Sequence, residues 1–363
     1  MKHVDEFRDR DAVMALASSL RRRSRTPARI MEFCGGHTVS VFRHGLRQLL
    51  PPAVTLVSGP GCPVCVTATG DLDRAMAFAG VPGAIVTTFG DLFKVPGSRG
   101  SLQEARGQGA DIRMVYSTLD SLRIATENPA RPVFFLGIGF ETTTPTVAAS
   151  LVTARDRGID NYFVHSMHKL CPPILEAILS SGVVNLQGLI CPGHVSAITG
   201  ARAWEPVAER HGIPCVVAGF EPADILQAVD MLVSQVEEGV ARVEIAYTRG
   251  VSREGNPTAR RLVDEVFEPA AASWRGVGVV PGSGLRIREA FAAHDAERVF
   301  PVDPGPAEEP RGCRCGAVLL GTATPADCGL FRGVCTPETP VGPCMVSSEG
   351  SCAAWYRYGE GAP

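Results

Sequence analysis

The chain has 363 residues, 45% hydrophobic and 20% charged, with a formal net charge of −3. That composition is ordinary for a globular protein, and the length exceeds what one compact core fills, so two or three domains are expected. The charge gives no basis for binding nucleic acid or an anionic membrane, and no apolar run approaches the ~18 residues of a membrane span.

In chain order, Val4, Phe7, Met14, Leu16 and Leu20 lie among charges, the pattern of an amphipathic helix and not of a signal peptide. Arg21-Arg22-Arg23 is its solvated end, and a cytoplasmic location is expected. Residues 30–33, 55–57, 84–87 and 112–116 then predict strands. Helical patterns separate them at 39–50, 71–79 and 101–106, with a further helix capped by Asp120. After the break at Glu127-Asn128-Pro129 the alternation resumes. Strands are predicted at 133–136, 162–164, 189–190 and 215–218, and helices at 145–155, 172–180, 196–210 and 222–238, several with proline near the first turn. Such alternation predicts an α/β fold with parallel sheets and helices on both faces. The expected units are 29–128, 129–248 and a helix- and loop-rich domain over 249–363. The amino-terminal helix, 1–28, is expected to pack on that last domain.

In open α/β sheets chemistry gathers beyond the carboxyl ends of the strands, and the unusual motifs fall there. Cys34-Gly35-Gly36-His37-Thr38 follows the first strand, and Gly59-Pro60-Gly61-Cys62-Pro63-Val64-Cys65 follows the second. Phe89-Gly90-Asp91, Gly139-Phe140-Glu141, His165-Ser166-Met167-His168-Lys169, Pro192-Gly193-His194 and Gly219-Phe220-Glu221 occupy the other strand ends. A Cys-x-x-Cys pair such as Cys62/Cys65 serves either as half of a zinc site or as a redox dithiol. Cys34 at a helix start is expected to carry a lowered pKa and to bind metal or attack, with His37 as second ligand or proton donor. The alternative is an inert buried thiol. Taken singly, Asp91, Glu141, His165, His168 and His194 read as structural hydrogen-bonders; together they predict a polar cleft. Cys171, Cys191 and Cys215 have apolar flanks and read as core thiols. No phosphate-binding P-loop occurs.

Twelve cysteines are many for a reducing compartment, where they favour metal or catalytic thiols over structural disulfides. Six of them, Cys313, Cys315, Cys328, Cys335, Cys344 and Cys352, crowd a stretch rich in Pro, Gly and Thr. Hydrophobic periodicity is weak there, so a bound centre is expected to order it. Zinc held by four thiolates and an iron–sulfur cluster both remain open on these residues alone.

Glu32-Phe33-Cys34-Gly35-Gly36-His37-Thr38, Gly59-Pro60-Gly61-Cys62-Pro63-Val64-Cys65, Phe89-Gly90-Asp91, Gly139-Phe140-Glu141-Thr142-Thr143 and His165-Ser166-Met167-His168-Lys169, with Cys313-Arg314-Cys315-Gly316 and Gly342-Pro343-Cys344-Met345-Val346-Ser347-Ser348-Glu349-Gly350, together resemble the HypD family of [NiFe]-hydrogenase maturation factors over nearly the whole chain. The resemblance implies two α/β domains and a third that holds a [4Fe-4S] cluster on Cys313, Cys328, Cys335 and Cys352. Cys315 and Cys344 are then a spare thiol pair, a candidate disulfide. It also implies a small partner, HypC, with which the chain holds iron while cyanide and carbon monoxide are added, giving the Fe(CN)2CO unit of the hydrogenase large subunit. HypE, with HypF upstream, supplies the cyanide, and Cys34 is the implied iron ligand. On this reading the chain is a redox-active scaffold. Cys62 and Cys65 pass electrons between cluster and iron, His37 orients or protonates, and Asp91, Glu141 and His168 handle protons or touch the partner. The competing readings are a free-standing disulfide reductase acting through Cys62/Cys65 and a zinc-stabilised binding protein.

Overall fold

The computed structural model describes residues 4–359. Residues 1–3 and 360–363, the outer ends of the first and last expected units, lie outside the described residues. Eleven strands are present among them: β1 (Ala28–Glu32), β2 (Val54–Ser58), β3 (Ile85–Thr88), β4 (Asp111–Met114), β5 (Val133–Gly137), β6 (Tyr162–Ser166), β7 (Gly188–Pro192), β8 (Cys215–Ala218), β9 (Val243–Ile245), β10 (Phe267–Trp274) and β11 (Gly278–Ile287). Two parallel sheets flanked by helices form the α/β body, as the alternation predicts. Their inner strands, such as Val133-Phe134-Phe135-Leu136-Gly137, are buried at every position, which is why they read as continuous apolar runs.

The expected boundaries are overturned by the strand order. One sheet runs β2-β1-β7-β8-β9 and the other β4-β3-β5-β6. The first is therefore assembled from both ends of the α/β region, with Ile30 paired to Gly188, and the second is inserted between β2 and β7. Units of 29–128 and 129–248 do not exist. Alternation reports the kind of element that comes next but not the sheet it joins. The helix Arg10–Arg23 also departs from expectation. Its buried stripe, Val13, Ala17 and Leu20, packs on the first sheet's helix Pro222–Glu238 and not on the carboxyl-terminal segment. Arg23 pairs with Asp230 at 3.0 Å, and Glu237 accepts the amides of Arg25 and Thr26 at 2.7 Å.

Smaller differences have local causes. Ser117, not Asp120, caps helix Thr118–Glu127; Asp120 occupies the third helical position and completes a capping box. Gly45, at φ +62°, breaks the predicted helix over 39–50 into Gly35–Arg43 and Leu46–Leu49. In 249–363 the antiparallel hairpin β10–β11 was not foreseen, because Ala270, Ala271 and Ala272 carry little strand propensity. The hairpin covers the second sheet's loops, with Leu170 N–H donating to the Ser283 carbonyl at 2.8 Å. The cysteine-rich segment packs on the first sheet's side, where Trp355 meets Phe42 with ring centroids 5.1 Å apart. Among the described residues no helix is long and apolar enough to cross a membrane.

Candidate thiol and metal site

Cys34 leaves β1 in extended conformation and forms the N-cap of helix Gly35–Arg43. The glycines around it are dictated by space. A Cβ on Gly35 would lie 2.4 Å from the Glu349 carbonyl oxygen, and one on Gly36 would lie 3.2 Å from the Phe220 ring. A Cβ on Gly61 would lie 2.4 Å from both the N and the Cα of Cys34. Gly35 N–H donates to the Gly61 carbonyl at 3.1 Å. The Cys34 loop and the Cys-x-x-Cys loop are therefore in backbone contact. Cys62 caps the short helix Pro63–Val66, its sulfur accepting from Cys65 N–H at 3.2 Å, and a disulfide joins the two cysteines.

The buried Cys34 sulfur lies 3.9 Å from Nδ1 of His194, which helix Gly193–Thr199 supplies beyond β7. Phe220, beyond β8, holds two imidazoles: His37 stacks on it at 4.8 Å and His194 tilts against it at 5.2 Å. His37 Nε2–H donates to the Gly219 carbonyl at 2.9 Å, which leaves Nδ1 a buried lone pair with no partner among the described residues. His194, Phe220 and Glu349 thus join the site, although sequence reasoning gave them no individual role. Their strand-end placement, and Glu349's place in a matched motif, were the available signals.

Electrostatics reverse one expectation. Burial pushes the Cys34 thiol well above its ordinary pKa, the carboxyls of Glu349 and Glu32 add to this, and the amides of Gly36 and His37 oppose it without prevailing. Burial also lowers His37 and His194 to about 4. The resting group is thus a neutral thiol beside two neutral imidazoles. Burial raises Glu32, just before this loop, to about 8, although Thr38 Oγ1 donates to it at 2.6 Å.

A pH dependence follows. Between pH 6.5 and about 4 the unfolded chain binds a proton at His37 that the folded chain refuses, so stability falls as pH falls through that window. One such histidine is worth about 3 kcal/mol across it. Urea midpoints should therefore drop from pH 7 to pH 5, and His37→Gln, which keeps a donor for Gly219, should shallow that slope. An unchanged slope would mean that His37 is not held neutral.

The remaining candidates divide. Asp91 is exposed on the turn Gly90–Leu92, and its charge reaches Glu349, whose pKa is raised by burial first and by Asp91 second. Glu141 is buried and accepts Cys171 N–H at 2.8 Å at the start of helix Cys171–Ser180. Burial pushes the Cys171 thiol well up, and Glu141 and then Cys34 add to this. His168 stands apart under the hairpin, contacting Ser166 at 3.1 Å and the Phe267 ring at 5.5 Å, and burial lowers it to about 3. Cys171, Cys191 and Cys215 are buried free thiols.

The six carboxyl-terminal cysteines line one apolar pocket with Val318, Leu330, Phe331 and Met345. Burial, with the neighbouring Cys315, Cys352 and Cys328, pushes Cys313 up to about 12. Cys315 and Cys344 place their sulfurs 2.7 Å apart. A Cβ on Gly342 would come within 2.7 Å of the Cys313 sulfur, so the glycine keeps the pocket open. Among the described residues no three Cys, His, Asp or Glu side chains close around a single ion. The six thiols that line this pocket would be a fitting donor set for an iron–sulfur cluster, which takes four of them. Cys65 Sγ lies 4.0 Å from the carbonyl of Pro343, the residue before Cys344. The Cys34 loop, the Cys62–Cys65 pair, the Cys315/Cys344 pair and the cysteine pocket therefore succeed one another through the molecule.

Comparison with known proteins agrees along the whole chain. The HypD family model, described as the hydrogenase formation hypA family, matches residues 11–359. Hydrogenase maturation factor HypD2 of Bradyrhizobium diazoefficiens is 48% identical over 99% of this chain and 97% of its own. HypD of Cupriavidus necator is also 48% identical, over 99% and 97%. HypD of Escherichia coli is 44% identical, over 99% and 98%. The chain belongs to the HypD family of hydrogenase maturation factors.

Proposed function

We propose that this chain is a thiol-redox scaffold on which, with a small HypC-type partner, iron receives cyanide and carbon monoxide before transfer to a [NiFe]-hydrogenase large subunit. A HypE-type protein, with HypF upstream, donates the cyanide. The observation that carries the reading is the backbone contact between the Cys34 loop and the Cys62–Cys65 loop, where Gly61 abuts Cys34. That contact gives Cys34-Gly35-Gly36-His37 a role that a free-standing disulfide reductase leaves unexplained.

Iron is the cargo, and Cys34 is its ligand from this chain. The thiol is neutral without metal, so binding must expel its proton. Neutral His194, 3.9 Å away, is placed to accept it, while His37, anchored to Gly219, holds Phe220 and the pocket wall in position. Glu32 and Glu141, both raised by burial, are further proton stations, and Asp91 offers an exposed contact for the partner. His168, under the hairpin, is a more remote proton station. Cys313, Cys328, Cys335 and Cys352 would hold a [4Fe-4S] cluster, which supplies one-electron chemistry when bound. Cys62 and Cys65 exchange between disulfide and dithiol, taking up two electrons and two protons on reduction. The Cys315/Cys344 thiols lie next to that pair for thiol–disulfide exchange.

The test is infrared spectroscopy of the anaerobic complex with the partner. Native protein should show cyanide and carbonyl stretches. Cys34→Ala should lose them while keeping about four cluster irons per chain. A full infrared signal from Cys34→Ala would remove Cys34 as the ligand.

A further inference from the structure

The ring of Tyr247 lies against the loops that hold both imidazoles of the Cys34 site, and the chemistry above gives it no part. Tyr247 follows β9, and its N–H donates to the Val217 carbonyl of β8 at 3.1 Å. From there the half-buried ring turns over the carboxyl ends of β8 and β7. A Cβ on Gly219, beyond β8, would lie 2.7 Å from Tyr247 Cδ2, and one on Gly193, beyond β7, would lie 2.7 Å from Tyr247 Cδ1. A Cβ on Gly250 would strike the same ring at Cε1. Three glycines thus make room for one side chain. One edge of the ring meets the residue before His194, and the other edge meets the residue whose carbonyl anchors His37.

The ring is itself held. The Arg249 guanidinium lies 4.6 Å from its centroid and 3.6 Å from that of Phe7, which the amino-terminal segment supplies. Arg249 Nη1–H donates to Asp224 Oδ1 at 2.7 Å and Nη2–H donates to Oδ2 at 2.6 Å. The Asp224 carboxylate is wholly buried, and its Oδ2 also accepts Glu221 N–H at 3.2 Å, at the start of helix Pro222–Glu238. Glu221 follows Phe220, the ring on which His37 stacks and against which His194 tilts. Ser40 Oγ–H donates to the Phe220 carbonyl at 2.7 Å.

We propose that Tyr247 is a positioning residue for the Cys34 site. Its ring fixes the separation of the His194 loop and the Gly219-Phe220 loop, and so sets where Nδ1 of His194 stands against the Cys34 sulfur. Burying a guanidinium–carboxylate pair adds little stability over an apolar pair, because desolvation offsets the attraction. What the Arg249–Asp224 fork supplies is direction: planar and bidentate, it holds the cation against the Tyr247 ring and closes on the loop that follows Phe220. Without the ring, Gly193 and Gly219 would be unbraced and open to other backbone angles. The inference rests on the reading of Cys34 as the iron ligand, which gives the imidazoles their task.

The test reads the full chain in two ways. Iron-free protein with isotopically labelled histidine shows the His37 Nε2–H proton, buried and bonded to Gly219, by NMR. The anaerobic complex with the small partner shows the cyanide and carbonyl stretches by infrared. Tyr247→Phe, which keeps the ring, should match native protein in both. Tyr247→Leu should lose the His37 proton to exchange and cut the stretches by about tenfold or more, the scale set by a small misplacement of a reacting group. Leu151→Ala, a core cut in the second sheet's helix Thr144–Arg157, should lower the urea midpoint comparably and leave both signals intact. Should Tyr247→Leu not fold, Arg249→Lys takes its place, since it keeps the charge without the fork; it should lose the same signals in smaller degree. The proposal is overturned if the chosen variant keeps either signal at the native level, or if Tyr247→Phe or Leu151→Ala loses them equally. Cys34→Ala in the same series separates the two claims. If it keeps its stretches the ligand assignment falls, and the His37 proton, read without iron, alone judges Tyr247.

Discussion

Gly61→Ala is expected to disable the protein more than its single added methyl suggests. The new Cβ would meet backbone, the N and Cα of Cys34 at 2.4 Å and the carbonyl carbon of Phe33 at 2.6 Å. Backbone at the end of β1 cannot swing aside as a long side chain does. Either the Cys-x-x-Cys loop lifts off or the Cys34 loop shifts, and the Gly35–Gly61 hydrogen bond breaks in both cases. Overpacking of this kind costs about 1–3 kcal/mol. The functional loss should exceed the stability loss, because the two thiol loops are separated. Gly70→Ala is the matched control: its Cβ would find only Ala307 at 3.6 Å, so stability should stay within about 0.5 kcal/mol. Denaturation midpoints and hydrogenase maturation in a deletion host would measure both effects. Wild-type maturation by Gly61→Ala would refute the close approach of the loops.

Cys62→Ser should reduce maturation to background while leaving the fold and the iron–sulfur absorption in place. The disulfide closes a very short ring, Cys62 to Cys65, and chain entropy assigns such a ring about 2 kcal/mol. Global unfolding would therefore not be the cause of the loss. Serine also keeps a cap for the Cys65 amide, the bond that Cys62 sulfur now accepts. The cysteine pocket lies beyond Pro343 and does not include Cys62. Loss of the absorption would show that the cluster ligands are misassigned. Undiminished maturation would remove the pair from the electron path.

How much of this was legible in the sequence depends on the range of the interaction. Strand–helix alternation and the placement of the motifs at strand ends are local, and they were read correctly as parallel α/β. The insertion of one sheet into the other was hidden, because the pairing of Ile30 with Gly188 leaves no mark on either segment. The same holds for the site. Cys34 and His37 announce themselves by spacing, whereas His194 and Phe220 reach them only through β7 and β8. The low thiol pKa inferred from a helix start failed because burial, a tertiary property, outweighs the two amides. The hairpin β10–β11 was missed because small residues cover the loops where β-branched ones would advertise a strand.

The interrupted first sheet also sets a timetable for biosynthesis. Cys34 and Cys62 emerge from the ribosome early, but β1 waits for Gly188, and the walls that bury the thiol, His194 and Phe220, come later still. Until then a nascent chain carries Cys34 unscreened beside two more reactive sulfurs. Closing so long a loop is slow. The interval in which these thiols are open to stray oxidation or premature metal is therefore written into the strand order.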